Sequence, residues 1–368
     1  MKVFCDQKDL SYALNTVNKA ISPNNTLPVL NNILLKAENK KLYLSATNLE
    51  LAISLFIDAD VRNEGSITVP ARLLTNHVSL LQDGQLEMTI SDGLALAIKS
   101  KGSETKMKGI NADEFPLIPK IENPKVVKIS AKDLNKAITR TVFAASQNPA
   151  KPVLSGVNFI VDKDIMKVVA TDSYRLAEQK INLKDKVDFS VQSIIPARTV
   201  QELGKVVGRE DDKDVEMEFS DSQILFKIGN TEITSRLIEG AFPAYEKIFP
   251  KTSKTKIEVG IEEFIQTVKR VSLFARENNN NIKLAATNDG KLTISTDETK
   301  VGEEKAEVDV EVSGENNKIA LNAQYLGDVL SYLDIDRARV ELNDKLSPAA
   351  IKPCKDDDYV YIIMPLKV

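Results

Sequence analysis

Three stretches of this chain share one pattern at a fixed interval: VPARLLTNHVSLL (69–81), IPARTVQELGKVV (195–207) and LNAQYLGDVLSYL (321–333). Pro70, Pro196 and Asn322 are equivalent, and each stands 126 residues from the next. Each is suited to opening a helix. Proline lacks an N–H that the first turn would leave unpaired, and asparagine is a good N-cap. Leucine and valine then recur at helical spacing. Self-similarity at a fixed interval is the mark of a repeat architecture, and it limits the fold to copies of one unit. Three unrelated domains would leave the equal spacing without a cause.

The rest of each unit can be located from this frame. About 60 residues before each of these helices lies another helical pattern: KDLSYALNTVNKAI (8–21), AKDLNKAITRTVFAAS (131–146) and IEEFIQTVKRVSLFAR (261–276). Ser130 with Asp133 makes a start of the capping-box kind for the second. Between the helices run strand-like segments, KLYLSATNLELAISLFI (41–57), IMKVVATDSYRLAEQKI (165–181) and KLTISTDETKVGEEKAEVDVEV (291–312). A small residue followed by Thr and Asn or Asp recurs in them as Ala46-Thr47-Asn48, Ala170-Thr171-Asp172 and Ser295-Thr296-Asp297. The expected class is α+β, with three repeated domains of about 120 residues. Each would pack two helices on roughly eight antiparallel strands. The boundaries fall in PLIPKIENPK (116–125) and FPKTSKTK (249–256), giving domains 1–122, 123–252 and 253–368. GREDDKD (208–214) and NNNN (278–281) are expected as loops within units.

Several function classes find little support. At 368 residues, 42% of them apolar and 28% charged, the chain has ordinary soluble composition and too much length for one core. No window approaches the roughly 18 to 20 apolar residues that span a bilayer. MKVFCDQKDL lacks the basic head and apolar segment of a signal peptide, so a cytoplasmic protein without membrane partners is expected. Cys5 and Cys354, at opposite ends, are expected as reduced thiols. With His77 the only histidine, there is no His/Cys cluster for zinc and no Ser-His-Asp set that would not have to use it. Glycine-rich phosphate loops are missing as well. No metal, no cofactor and no catalysis are expected.

Lysine and arginine number 49 against 53 acidic residues, so a nucleic-acid partner requires the positive charge to be gathered on one face. Lys132, Lys136 and Arg140 follow at i, i+4 and i+8 on one helix. Arg198, Lys205 and Arg209 form a similar stripe on the next, interrupted by Glu202. Lys8 and Lys19 flank the first helix, and Lys269, Arg270 and Arg276 lie late in the fifth. The last repeated helix carries Asp328 and no basic residue. Phosphate contacts of this kind carry no sequence information and weaken with salt, so a protein held only by them would slide.

Four segments, in order, carry a resemblance over essentially the whole chain: TLPVLNNILL (26–35), VATDSYRLA (169–177), AFPAYEKIFP (241–250) and YIIMPLKV (361–368). The sequence resembles the bacterial DNA polymerase III beta subunit family, the sliding clamps. The resemblance implies a head-to-tail homodimer closing a six-domain ring around double-stranded DNA, with helices lining the bore. Retention would then come from topology. Lys132, Lys136, Arg140, Lys151, Arg198, Lys205 and Arg209 would face the duplex. Thr105 and Met107 of one copy would meet Leu273 and Phe274 of the other, although these two also fit a helix core on periodicity. A pocket for peptides of the replicative polymerase, the clamp loader and repair proteins is implied. It would comprise Leu154, Thr171, Tyr174, Arg175, Leu176, Pro243, Lys247, Ile248, Asn322, Tyr325, Leu346, Ile363, Met364, Pro365 and Leu366. Departures from the family pattern are Asn24 in SPNNTLP (22–28), Lys151 where arginine is frequent, and Asn279 where an aromatic can lie.

Independently of the resemblance, chain ends fray unless tied down, so the apolar IIMPL near the terminus implies an end held against protein. Methionine adds an adaptable apolar wall suited to several partners. The run Thr171-Asp172-Ser173-Tyr174-Arg175 could serve an enzyme through Asp172, Tyr174 and Arg175. With no base, metal or cofactor motif to accompany it, Asp172 and Ser173 are expected to shape a turn while Tyr174 and Arg175 line the pocket. A monomeric peptide-binding adaptor without a ring is the other alternative, distinguished by a concentration-independent monomer mass.

Overall fold

The computed structural model describes residues 1–22, 27–91, 93–210 and 212–366. Asn24 and the last two residues of YIIMPLKV lie outside the described residues. Six α-helices are present among them: α1 (Gln7–Val17), α2 (Ala71–Ser79), α3 (Ala131–Thr141), α4 (Ala197–Val207), α5 (Ile261–Ala275) and α6 (Ala323–Tyr332). All six coincide with the expected helical segments. Asn322 caps α6 by accepting from the N–H groups of Gln324 at 2.9 Å and Tyr325 at 3.2 Å. Ser130 accepts from the Asp133 N–H at 3.1 Å and donates to its carboxylate at 2.6 Å, the reciprocal start expected for α3. Pro70 and Pro196 each end a strand immediately before α2 and α4.

Antiparallel strands make up the rest, in sheets of five, eight and twelve. Alternating burial along the strands follows the alternating apolar pattern of the sequence, as in BeBiBe for Thr231–Arg236. Each long sheet is continuous across two repeats. In the first, strand Thr231–Arg236 pairs with Leu51–Asp58, placing Ser235 opposite Leu51. In the second, strand Tyr359–Ile363 pairs with Arg175–Asn182, placing Ile363 opposite Arg175. Consequently the chain folds as two compact units. Met1–Leu134 joins Glu202–Leu237 in one, and Asn135–Gln201 joins Ile238–Val368 in the other. Half of the middle repeat's strands belong to each. Within the first unit α1 and α2 cover the sheets with a fully buried row that includes Leu10, Leu14, Val17, Leu74 and Val78. In the second, α5 and α6 do the same through Phe264, Val271, Leu326 and Val329.

Cys5 is buried and Cys354 half-buried, and both are free thiols. Burial, with Asp6 and Asp9 adding to it, pushes the Cys5 thiol up to about 12. Among the described residues no helix is long and apolar enough to cross a membrane.

Candidate functional site

The site is built on the hairpin joining strands Ile165–Thr171 and Arg175–Asn182, whose closing pair is Thr171 with Leu176. Asp172 Oδ1 accepts from the N–H groups of Tyr174 at 2.8 Å and Arg175 at 3.0 Å. Thr171 Oγ1 donates to the Arg175 carbonyl at 2.6 Å and accepts from the Ser173 N–H at 3.3 Å. These bonds hold Ser173 at φ 86°, a left-handed conformation that costs a non-glycine residue roughly 1 kcal/mol. Asp172 and Ser173 therefore shape the turn, and the turn lifts Tyr174 into solvent at 60% exposure.

Arg175 turns the other way. Its Nε donates to Asp172 Oδ2 at 3.0 Å, its Nη1 to Asp328 of α6, and its Nη2 to the Phe143 carbonyl at 2.9 Å. The guanidinium also lies 4.5 Å from the centre of the Tyr325 ring. Burial works against its charge, but Tyr361, Asp328 and Asp172 outweigh that and hold the group firmly protonated. With only 10% of its side chain exposed, Arg175 supports the site from beneath and is not an open wall.

The chain end is tied down here as expected. Past strand Tyr359–Ile363, the Met364 N–H donates to the Tyr174 carbonyl at 2.9 Å, and the Leu366 N–H to the Ala320 carbonyl at 2.9 Å. Ile363 is fully buried and serves as an anchor, while Met364 remains 38% exposed beside Tyr174. Leu176 and Ile362 share a core cluster with Phe242 and Tyr245, which fixes the segment carrying exposed Pro243, Lys247 and Ile248. The Tyr245 hydroxyl donates to Glu178 at 2.6 Å, and burial with that carboxylate raises its pKa. Strand Ala349–Pro353 brings its first residue opposite Ile363, so Leu346, 70% exposed, lies toward the same end. Leu154 is half-buried in the short turn Pro152–Ser155. The Asn322 side chain is occupied in capping α6, and Tyr325 meets the site through Arg175. Lys151 Nζ donates to Ser173 Oγ at 3.4 Å, which puts this residue, expected at DNA, directly beside the turn.

The basic stripes are less open than the helical spacing suggests. Lys132 is exposed. Lys136 Nζ lies 2.8 Å from Asp356, and Arg140, 6% exposed, sits 2.7 Å from the same carboxylate and 3.1 Å from Gln179. Arg140 is a buried ion-pair partner and does not present its charge to solvent, so the expectation that it faces DNA is corrected. The physical reason is geometric: i, i+4, i+8 drifts by about 80° around a helix, enough to carry the last position inward. Lys205 pairs with Glu202 at 2.9 Å. Arg198 and Arg209 are exposed, and Arg209 lies beyond the end of α4. Lys19 Nζ is buried without a hydrogen-bond partner, and burial together with Arg209 depresses its pKa.

Strand Ser103–Lys108 pairs only with Ala95–Ser100 and forms one edge of the five-stranded sheet. Thr105 is half-buried, but Met107 is 3% exposed and packs into its own unit, so any contact it makes across this edge is through its backbone. Leu273 is 56% exposed on α5, whereas Phe274 is half-buried with its ring against Gly302.

Models of the DNA polymerase III beta subunit match the N-terminal domain over residues 1–119, the central domain over 128–244 and the C-terminal domain over 246–367. Beta sliding clamps of Staphylococcus aureus and Staphylococcus epidermidis are each 32% identical over 363 residues, covering 96% of both chains. The solved sliding clamp of Bacillus subtilis superposes with a TM-score of 0.95 at 30% identity, over 100% of this chain and 99% of that one. The Pseudomonas aeruginosa clamp bound to griselimycin does so with a TM-score of 0.96 at 28% identity, over 100% of both. Three tandem clamp domains, full-length relatives and full-length structural agreement lead to one conclusion: the chain belongs to the DNA polymerase III beta subunit family, the beta sliding clamps, non-catalytic processivity factors of that polymerase.

Proposed function

We propose that two copies of this chain close head to tail into a six-domain ring around double-stranded DNA, and that the Thr171–Leu366 site tethers partner proteins to it. The observation that carries the ring is a strand paired on one side only. The last strand of the second repeat, Thr231–Arg236, pairs with the first repeat, and the last strand of the third, Tyr359–Ile363, pairs with the second. The corresponding last strand of the first repeat, Ser103–Lys108, is left at an edge. An open edge of hydrogen-bonding groups invites a strand from another chain, and a head-to-tail contact that closes after two copies makes a ring. Exposed Leu273 of the third repeat supplies the apolar part of that joint. In this reading the three domains run 1–122, 123–252 and 253–368.

The outer residues of the pocket, Tyr174, Met364, Pro243, Ile248 and Leu346, present apolar surface that the fold does not bury. Peptides from the replicative polymerase, the clamp loader and repair proteins would dock there. DNA would be held without regard to sequence by Lys132, Lys136, Lys151, Arg198, Lys205 and Arg209, and the ring would work in the cytoplasm. Leu273→Asp tests the joint. It should convert a sedimenting species of twice the 40.7 kDa chain mass into a monomer while leaving the circular dichroism spectrum unchanged. A dimer that survives the substitution at micromolar concentration would refute the assigned joint.

A further inference from the structure

We infer that the first unit carries a second peptide-docking site, a recess for a linear segment of a partner protein that sets an aliphatic anchor beside a carboxylate. The inference rests on the reading of the Thr171–Leu366 site as a peptide pocket, because both are made from the same parts. FPLIPKI (115–121) and FPAYEKI (242–248) share Phe, Pro, Lys and Ile at matching positions. Phe115 packs with Val29, Leu30 and Ile118 as Phe242 packs with Tyr245 and Leu176, so each segment is pinned by its phenylalanine.

The turns correspond bond for bond. Asn48 Oδ1 accepts from the N–H groups of Glu50 at 3.1 Å and Leu51 at 2.8 Å, as Asp172 does in the first site. Thr47 Oγ1 donates to the Leu51 carbonyl at 3.1 Å and accepts from the Leu49 N–H at 3.0 Å, and Leu49 takes φ 75° where Ser173 takes 86°. Finally the Arg236 N–H donates to the Glu50 carbonyl at 2.9 Å, as the Met364 N–H does to the Tyr174 carbonyl. Turn, pinned segment and neighbouring strand thus form a small recess of about 80 Å³ lined by Thr47, Leu49, Glu50, Leu117, Pro119 and Arg236. That is smaller than an ordinary ligand pocket and suits one anchoring side chain of an extended segment lying across it.

The contents of the recess select its occupant. Single exposed leucines are ordinary, but here Leu117 at 94% exposure and Leu49 at 47% line one concavity. The decisive difference from the first site is Arg236 standing where that site has Met364. A guanidinium binds a carboxylate with paired hydrogen bonds, and no ion pair among the described residues already holds this one. The occupant is therefore a peptide with an acidic residue beside its aliphatic anchor.

The test uses the full chain and three fluorescein-labelled probes, Glu-Leu-Glu-Leu, Lys-Leu-Lys-Leu and Leu-Leu-Phe, followed by anisotropy. Wild type should bind Glu-Leu-Glu-Leu. Arg236→Glu should weaken it at least about tenfold and admit Lys-Leu-Lys-Leu. Leu117→Asp, at a position too exposed to disturb folding, should weaken both. Deleting residues 364–368 should leave Glu-Leu-Glu-Leu bound while abolishing Leu-Leu-Phe binding, and persistence of Leu-Leu-Phe would sink the reading of the first pocket alone. No binding of Glu-Leu-Glu-Leu to wild type, or binding indifferent to Arg236→Glu and Leu117→Asp, would overturn the second site. A change of sedimenting mass in Leu117→Asp would also overturn it, by showing that a second copy of the chain covers the recess.

Discussion

Asp172 makes the sharpest test of how the proposed peptide site is built. Truncation to alanine removes the acceptor for two turn N–H groups, at 2.8 and 3.0 Å, and the 3.0 Å partner of Arg175 Nε. The Tyr174 N–H is open to water, so its loss costs little, while the half-buried Arg175 N–H and the guanidinium contact are each worth about 1 to 1.5 kcal/mol. With Ser173 left at φ 86° and nothing to hold it there, the turn should be destabilised by about 3 kcal/mol. Peptide affinity should fall by up to about 100-fold as the ordered turn becomes a minority state. Asp172→Asn separates geometry from charge. An amide keeps the Oδ1 acceptor, and the first repeat already runs the same turn on Asn48, with bonds at 3.1 and 2.8 Å. The asparagine variant should thus lose only about 1 kcal/mol, less than tenfold in affinity. Isothermal titration with the apolar probe and local hydrogen exchange at residues 172–175 read both effects. Equal damage from alanine and asparagine would show that charge matters and turn geometry does not. No damage from alanine would refute the account of the turn altogether.

Other expectations concern the helix charges. Arg140→Met should cost about 3 kcal/mol by removing a buried partner of Asp356, without altering the salt dependence of DNA binding. Lys132→Ala should leave stability unchanged and lower the salt slope by about one. Asp356 is subject to burial, which raises its pKa, but hydrogen bonds from Lys136 and Arg140 prevail and hold it below the ordinary 3.8. Such a carboxylate stabilises the fold above its unfolded value, and that contribution is lost as pH falls through the depressed folded value. Asp356→Asn should accordingly flatten the acid limb of a stability-against-pH curve below about pH 4, and an unchanged limb would contradict the pairing.

Much of what is local or periodic in this chain is legible in the sequence. The 126-residue interval located α2, α4 and α6, Asn322 announced the cap of α6 and Ser130 that of α3, and the apolar segment 362–366 announced its docking. The turn roles of Asp172 and Ser173 were legible too, since both follow from bonds within four residues. What the sequence left hidden involves partners distant along the chain. Arg140 is neutralised by Asp356, 216 residues away, and Arg175 by Asp328, 153 residues away, and neither pairing leaves a trace in helical spacing. Met107 alternates inward on an edge strand whose facing could be assigned only once its pairing with Ala95–Ser100 was known. The FP-x-x-x-K-I recurrence was present throughout, and aligning the linkers as well as the helices would have found it.

The central claim, that this chain holds DNA by enclosing it, is tested most directly by retention on DNA of different topology. The protein is loaded onto nicked circular plasmid with a clamp loader and ATP, gel-filtered in moderate salt, then filtered again after the plasmid is cut. Enclosure predicts co-elution with the circle and loss from the linear form. Equal retention on both would mean that Lys132 and its neighbours bind DNA by charge alone, and would contradict the ring.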